Sequence, residues 1–233
     1  MHVTAIVLAA GKGLRLKSRI PKPLIEISSA PLIIYCLHTF SRHPYIKDII
    51  VVANSKNIKN ILHKIRQYRI TKIKDVVLGG LMRQDSVING LGAIDNNTEL
   101  VLIHDAARPF IDKEAVTSVI KAAKTHDAAI VGVPVKATIK EVHGSRFTVH
   151  GNLIVKKTLN RDNLWEVQTP QVFKKELILK AYNKFGGIEV TDDAMLVEKL
   201  GVKVRVVKGS YNNIKITTPE DLILAETIAK NLT

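Results

Sequence analysis

Cysteine is almost missing from this chain of 233 residues: Cys36 stands alone. No intramolecular disulfide framework and no cysteine-built zinc site can form, and the chain suits a reducing compartment. Aromatic residues make up only 5%, and they do not interleave with basic residues as a base-stacking platform requires. No apolar run approaches the roughly 20 residues that a helix needs to cross a bilayer. The segment Met1–Ala10 has no basic leader and reads as a buried strand, so a cytoplasmic location is expected. No repeat, low-complexity tract or linker interrupts the chain. Collagenous, membrane-spanning, disulfide-rich and disordered classes are thereby excluded. A single domain over residues 1–233 is expected, long enough to bury one sizeable core.

Acidic charge is scarce as well. There are 21 Asp and Glu against 35 Lys and Arg, a formal net charge of +14. Such an excess attracts nucleic acid, anionic membranes or small polyphosphates. The densest basic stretch, Lys56 to Lys74, carries Ile58, Ile61, Leu62 and Ile65 at helical spacing. It therefore reads as a helix with a solvated basic face. A noncatalytic nucleic-acid-binding module is the alternative of another class, and salt-sensitive RNA or DNA binding through this stretch would mark it.

The chain otherwise alternates strand and helix. Apolar runs at Val3–Leu8, Asp48–Ala53, Lys74–Leu78, Leu100–His104 and Ala128–Val133 read as buried strands. Helices are expected at Pro31–Phe40, through the basic stretch, at Gln84–Ile94 and at Asp112–Lys124, the last with Asp112 as N-cap. This order predicts an α/β fold: a mainly parallel, Rossmann-like sheet with helices on both faces. Residues 135–159 break the pattern with short β-type runs at Thr138–Val142, Arg146–Val149 and Leu153–Lys157. They predict a protruding β-arm with little core of its own, which needs something to pack on, such as a second subunit. Helices near Lys174–Lys184 and Asp192–Leu200, a strand at Lys203–Val207 and a last helix opened by Thr218-Pro219 complete the chain.

In an open α/β sheet, ligands sit beyond the carboxyl ends of the strands. Leu8-Ala9-Ala10-Gly11-Lys12-Gly13-Leu14-Arg15-Leu16 is the loop after the first strand. Its small residues let a ligand approach the backbone, whose N–H groups can cradle phosphate. It is neither a dinucleotide fingerprint nor a P-loop: Leu16 stands where the first wants glycine, and Leu16-Lys17-Ser18 does not end as the second must. Arg15 within the loop and Lys22 after it suit a triphosphate. Asp105, after strand four, is placed either to hold Mg²⁺ between phosphates or to cap its loop. Arg108 could grip an anionic second substrate through a bidentate contact, whereas His104 reads as packed.

Gly79-Gly80 with Ser86 marks a third turn on the same edge, suited to nucleotide base or ribose contacts. Thr191-Asp192-Asp193 reads as a helix N-cap, and Trp165 as packing. Asn213-Ile214-Lys215 reads as a short apolar strand carrying one cation, which either meets an anion or snorkels. No covalent nucleophile stands out. A phosphate monoester acceptor needs none, since its oxygen is already anionic at pH 7. The protein then has to align two polyanions and neutralise charge.

These motifs resemble a known family. Leu8-Ala9-Ala10-Gly11-x-Gly13-x-Arg15 with Pro21-Lys22 resembles the nucleotidyltransferases. His104-Asp105-Ala106-Ala107-Arg108-Pro109, Arg161-x-x-Leu164-Trp165, Gln168-Thr169-Pro170-Gln171-x-Phe173, Thr191-Asp192 and Asn213-Ile214-Lys215-Ile216-Thr217 narrow the likeness to the 2-C-methyl-D-erythritol 4-phosphate cytidylyltransferases. The resemblance implies a Mg²⁺-dependent transfer of a cytidylyl group from CTP to methylerythritol phosphate, releasing pyrophosphate, in non-mevalonate isoprenoid synthesis. It implies transition-state roles for Arg15 and Lys22, and phosphate positioning by Arg161 and Lys215. It makes Asp105 the metal-associated carboxylate. It places Ala9, Ala10, Gly11, Gly13, Gly80, Ser86 and Ala106 at the CTP pocket, with Arg108 and Thr138 facing the sugar phosphate. It also implies a homodimer whose arm completes the neighbouring site.

The chain departs from the family pattern at Pro23-Leu24, Leu81, Ala137 and Asn212. Ribitol-5-phosphate cytidylyltransferase is the nearest rival. Ala10, Ala107 and Leu164-Trp165 favour the methylerythritol phosphate enzyme.

Overall fold

The structure is a computed structural model, and it describes residues 1–11, 13–16, 18, 20–143 and 153–231. The expected strand at Arg146–Val149 lies outside the described residues, as does Lys12 of the glycine loop.

A seven-stranded sheet forms the centre. Its strands are β1 (Val3–Ala9), β4 (Ile46–Ala53), β5 (Ile73–Leu78), β6 (Leu100–Asp105), β7 (Ala128–Pro134), β10 (Trp165–Lys174) and β11 (Arg205–Lys208). Their order is β11-β7-β10-β6-β1-β4-β5. Neighbouring strands are parallel except where β10 meets β6 and β7. Two short ribbons stand apart: β2 (Glu26–Ile27) with β3 (Ala30–Pro31), and β8 (Lys140–His143) with β9 (Ile154–Thr158).

The period of two along the strands sends side chains to two cores. Val3, Ala5, Val7 and Ala9 of β1 face one core with Ile49 and Val51 of β4. Ile6 and Val52 face the other, with Val101 and Ile103 of β6. Helices α1 (Leu32–Ser41), α2 (Ile58–Gln67) and α4 (Lys113–His126) cover the first face. Helices α3 (Arg83–Leu91), α5 (Lys175–Phe185) and α6 (Ala194–Glu198) cover the second. Each fully buried aliphatic side chain in these rows contributes about 1.5–3 kcal/mol. A third cluster packs the last helix, α7 (Pro219–Lys230), against Ile27 and Leu32.

Local signals hold at the helix starts. Asp112 caps α4 by accepting from the Ala115 N–H at 2.6 Å, and Thr218 opens α7 in a capping box with Asp221. In α2, Ile61 and Ile65 are buried while Lys59 and Arg66 stay in water, as the helical spacing requires.

Elsewhere the structure departs from the sequence pattern. The stretch 165–174 carries no strand signal, because Pro170 and several polar residues interrupt it, yet it forms β10. The register breaks between Val167 and Gln171, so Pro170 sits where its missing N–H costs no ladder bond. The expected strand at Asn213–Lys215 is an irregular segment, tied to the site by one backbone bond from Ile216 to the Ala107 carbonyl at 2.9 Å. Trp165, expected to pack, is 40% exposed beside the arm.

Candidate active site

The parallel strands β1, β4, β5 and β6 all end on one edge, and the antiparallel β10 begins there. That topology gathers the loops that the sequence singled out.

The glycine loop is held from two sides. The side-chain amides of Asn57 and Asn54 donate to the Ala9 and Ala10 carbonyls, each at 3.2 Å. Gly79 packs against Ala10 so closely that an added methyl would collide with the Ala10 side chain and come within 2.7 Å of Ser86 Oγ. The Gly80 N–H donates to Ser86 Oγ at 3.2 Å, and the Ser86 hydroxyl turns to the Met82 carbonyl. Ala10, Gly79, Gly80 and Ser86 therefore pack as one unit, with Ser86 buried in it and the Ala9 side chain turned into the core. Gly11 opens onto empty space. Gly13 has φ of +62°, where a side chain is strained, and its Cα hydrogen faces Lys22, whose Cβ would stand 3.0 Å from a methyl there. The loop thus closes directly on Lys22. Arg15 lies exposed in the 3₁₀ turn Leu14–Leu16.

Lys22 sits in cationic company. Burial first, then the charges of Lys215 and Arg15, pull its ammonium down to about 8 against the pull of Asp105 and Asp221. Asp105, 8% exposed, is the counter-charge. Its Oδ2 accepts from Lys215 Nζ at 2.5 Å and its Oδ1 from Arg83 Nε at 3.3 Å. Burial would raise this carboxyl, but Arg83 and Lys215 outweigh it and hold it well below the usual carboxylate range. Three of the expected cations and the expected carboxylate thus share one electrostatic cluster.

The loop after β6 is fixed by a neutral histidine. His104 is fully buried, and its Nε2 meets the Arg108 carbonyl at 2.9 Å, so that nitrogen carries the proton. Its Nδ1 then accepts from Thr169 Oγ1 at 3.1 Å, and the same oxygen accepts from the Asp105 N–H at 3.1 Å. Burial, opposed by the Arg108 carbonyl, pulls the imidazole down to about 4. His104 is a packed scaffold residue, as expected. Ala106 is buried beside it, and its N–H donates to the Leu8 carbonyl at 3.0 Å.

Arg108 spends its fork on the protein rather than presenting both arms to a ligand. Nη1 donates to the Asn213 carbonyl at 2.8 Å and Nη2 to the Val167 carbonyl at 3.3 Å. Its Nε is buried without a partner. A cleft of about 250 Å³ opens beside it, lined by Arg108, Glu166, Gln168, Tyr211 and Lys215.

Arg161 and Thr138 are not joined to this cluster by any described bond within the chain. Both lie exposed at the base of the arm, and Arg161 Nη1 donates to the Lys136 carbonyl at 2.8 Å. The sequence pattern missed Arg83. The expected N-cap holds, with Asp193 preceding α6 and Asp192 accepting from the Met195 N–H at 3.1 Å, but the Asp193 carboxylate turns to Arg83 instead of the helix. Asp193 is fully buried and takes both terminal nitrogens of Arg83, at 2.9 and 2.7 Å. The place of Arg83 as the first residue of α3, where the helix dipole disfavours a cation, is a local signal that names no partner.

The described residues hold no group of three His, Cys, Asp or Glu that could bind a metal unaided. Asp105 offers a single carboxylate, its Oδ2 engaged only by the partly exposed Lys215, so a cation held there would need its remaining oxygen ligands from outside the chain.

The family model of 2-C-methyl-D-erythritol 4-phosphate cytidylyltransferase matches residues 3–231. The enzyme of that name from Caldanaerobacter subterraneus is 44% identical over 232 residues, covering 97% of this chain and 98% of that protein. The one from Alkaliphilus oremlandii is 43% identical over 230 residues, covering 97% and 94%. Among solved structures, 4-diphosphocytidyl-2C-methyl-D-erythritol synthase from Anaerococcus prevotii superposes with a TM-score of 0.84 at 36% identity, covering 98% of this chain and 96% of that one. The Thermus thermophilus cytidylyltransferase gives 0.74 at 30% identity, covering 99% and 100%.

Proposed function

This chain belongs to the 2-C-methyl-D-erythritol 4-phosphate cytidylyltransferase family, and from that premise we propose how its residues divide the work. The reaction is the transfer of a cytidylyl group from CTP to 2-C-methyl-D-erythritol 4-phosphate, giving 4-diphosphocytidyl-2-C-methyl-D-erythritol and pyrophosphate in isoprenoid synthesis.

A phosphate oxygen of the acceptor attacks the α-phosphorus of CTP. The new P–O bond forms as the bond to the β-phosphate oxygen breaks, and the electron pair leaves with pyrophosphate. The attacking oxygen is already ionised, so no general base is assigned. Catalysis is then positioning and charge neutralisation. Lys22 and Arg15 face the α-phosphate and neutralise charge that grows in the transition state. Lys215 leaves Asp105 Oδ2 and takes the acceptor phosphate. Asp105 would hold the divalent cation, which when bound supplies further neutralisation across the phosphates. Ala9, Ala10, Gly11, Gly13, Gly80, Ser86 and Ala106 bound the nucleotide side, and Arg108 the polyol side.

Thr138 and Arg161 serve the neighbouring site of a homodimer. Two features support this. Neither residue joins the cluster of its own chain, and the β8–β9 ribbon exposes Val142, Leu153, Ile154 and Val155. A two-stranded ribbon with bare apolar side chains is marginal unless it packs on another surface. No helix among the described residues is long and apolar enough to cross a membrane.

The observation that carries the assignment is the pairing of Lys215 with buried Asp105 beside Lys22, whose ammonium feels both of their charges and that of Arg15. Pyrophosphate release with CTP, measured with and without Mg²⁺ against methylerythritol phosphate, ribitol phosphate and a hexose 1-phosphate, tests it. Turnover with the first acceptor that vanishes on chelation is expected. Equal turnover with ribitol phosphate, or turnover without a divalent cation, would refute the acceptor or the cation assignment respectively.

A further inference from the structure

Arg83, its side chain 30% exposed, is the one cation bonded to Asp105, among the described residues, to which the division of labour above gives no task. It is the first residue of α3, separated from the Gly79-Gly80 turn by Leu81 and Met82. Its guanidinium joins two carboxylates: Nε donates to Asp105 Oδ1, and Nη1 and Nη2 form a fork on Asp193. Asp193 is fixed in turn. The Tyr182 hydroxyl donates to its Oδ1 at 2.5 Å, and the Gln171 side chain accepts from the Asp193 and Ala194 N–H groups at 3.1 Å. Gln171 also donates to Asp192 at 2.8 Å, and the Asp192 carboxylate accepts from the Met195 N–H at 3.1 Å. A continuous set of polar contacts therefore runs from α5 and α6 to the carboxylate that faces the triphosphate.

The two oxygens of Asp105 are not equivalent. Oδ1 is held by a guanidinium that is itself locked by two bonds to Asp193. Oδ2 is held by Lys215, whose side chain is 41% exposed at the mouth of the cleft. The terminal torsion of an aspartate is soft and nearly two-fold, so a carboxylate tethered at neither oxygen turns freely. One fixed contact removes that freedom and leaves a single oxygen to exchange partners. We propose that Arg83 is a positioning residue for cytidylyl transfer, anchoring Asp105 Oδ1 so that Oδ2 is presented to the cation of the incoming triphosphate, with Asp193 and Tyr182 holding Arg83 in place. This rests on Asp105 being the cation carboxylate.

The experiment compares Asp105→Asn, Arg83→Gln and Tyr182→Phe in the full chain. It measures half-saturating Mg²⁺ at fixed CTP, kcat and KM separately, Mn²⁺ binding in the presence of CTP by water-proton relaxation, and thermal unfolding. Partners that orient a metal ligand typically affect metal affinity by about 10–100-fold. Arg83→Gln is accordingly expected to raise half-saturating Mg²⁺ by about tenfold or more, with Mn²⁺ binding weakened in parallel. Tyr182→Phe loses one hydroxyl and is expected to move both in the same direction by about two- to fivefold. A folded Arg83→Gln whose metal response and Mn²⁺ binding match the parent overturns the inference, however much its unfolding temperature drops. Should Arg83→Gln not fold, Tyr182→Phe decides in the same way. If Asp105→Asn loses the metal response while the other two keep it, only the positioning role falls. If Asp105→Asn keeps it, the carboxylate assignment falls and the positioning role with it.

Discussion

Lys22 illustrates how a single residue is set against its own fold. Its ammonium is pulled to about 8 by burial and by Lys215 and Arg15. The unfolded chain binds that proton more tightly, so the charged side chain weakens the native state most below pH 8. The penalty is relieved as pH rises from about 8 toward the ordinary lysine value. Activity should move the other way, because the cation is what faces the triphosphate. kcat/KM for CTP is expected to fall along a basic limb near pH 8, and Lys22→Met should lack that limb, turn over about 10²–10³-fold more slowly and be at least as stable at pH 7. pH–rate profiles and thermal unfolding read all three, and undiminished turnover in Lys22→Met would remove its assigned role. Asp105, by contrast, was recognisable from its place after a strand, while its second anchor Arg83 was not. Nothing in spacing alone ties residue 83 to residues 105 and 193.

At the level of elements, the turn after β5 does more than reverse the chain. Gly79 lets the β5 end press on Ala10 of the first loop and on Ser86 of α3. Gly79→Ala forces those three apart. A loss of about 1–3 kcal/mol in urea unfolding is expected, together with a raised KM for CTP and a kcat changed less. Gly11→Ala is the control, since a methyl there meets no atom within 4 Å. Its stability should stay within about 0.5 kcal/mol of the parent, and a ranking reversed between the two would contradict the packing described. The elements themselves were unequally legible. The helix starts at Asp112 and Pro219 announced themselves, because caps are local bonds. β10 did not, because its strand pairing depends on β6 and β7 lying to either side. Once inserted, it carries Gln168 and Thr169 to the site edge, where they hold Asn213 and His104.

On the scale of the whole molecule, the net charge of +14 suits two polyanionic substrates, and the uneven distribution of site residues suits two subunits. If Arg161 serves the neighbouring site, Lys22→Ala and Arg161→Ala fail for different sites of one dimer. Mixing equal amounts of the two inactive variants under subunit exchange then rebuilds one intact site in each heterodimer. Recovery of about a quarter of the parental activity is expected in the pyrophosphate assay. No recovery, with exchange shown by a tagged subunit, would place Arg161 in its own chain's site or outside catalysis.

The sequence by itself determined the alternation of strands and helices, the two-faced sheet, the cations of the first loop and the carboxylate at the end of β6. Each of these is written in short-range spacing: a period of two or 3.6, a cap, a glycine turn. The tertiary structure alone decided which charges meet. Arg83, Asp105, Asp193 and Lys215 come from four separate stretches of chain, and they converge because parallel strands bring their ends to one edge while β10 returns against them. Pairing among such groups is set by distance and burial in three dimensions, which no local pattern encodes.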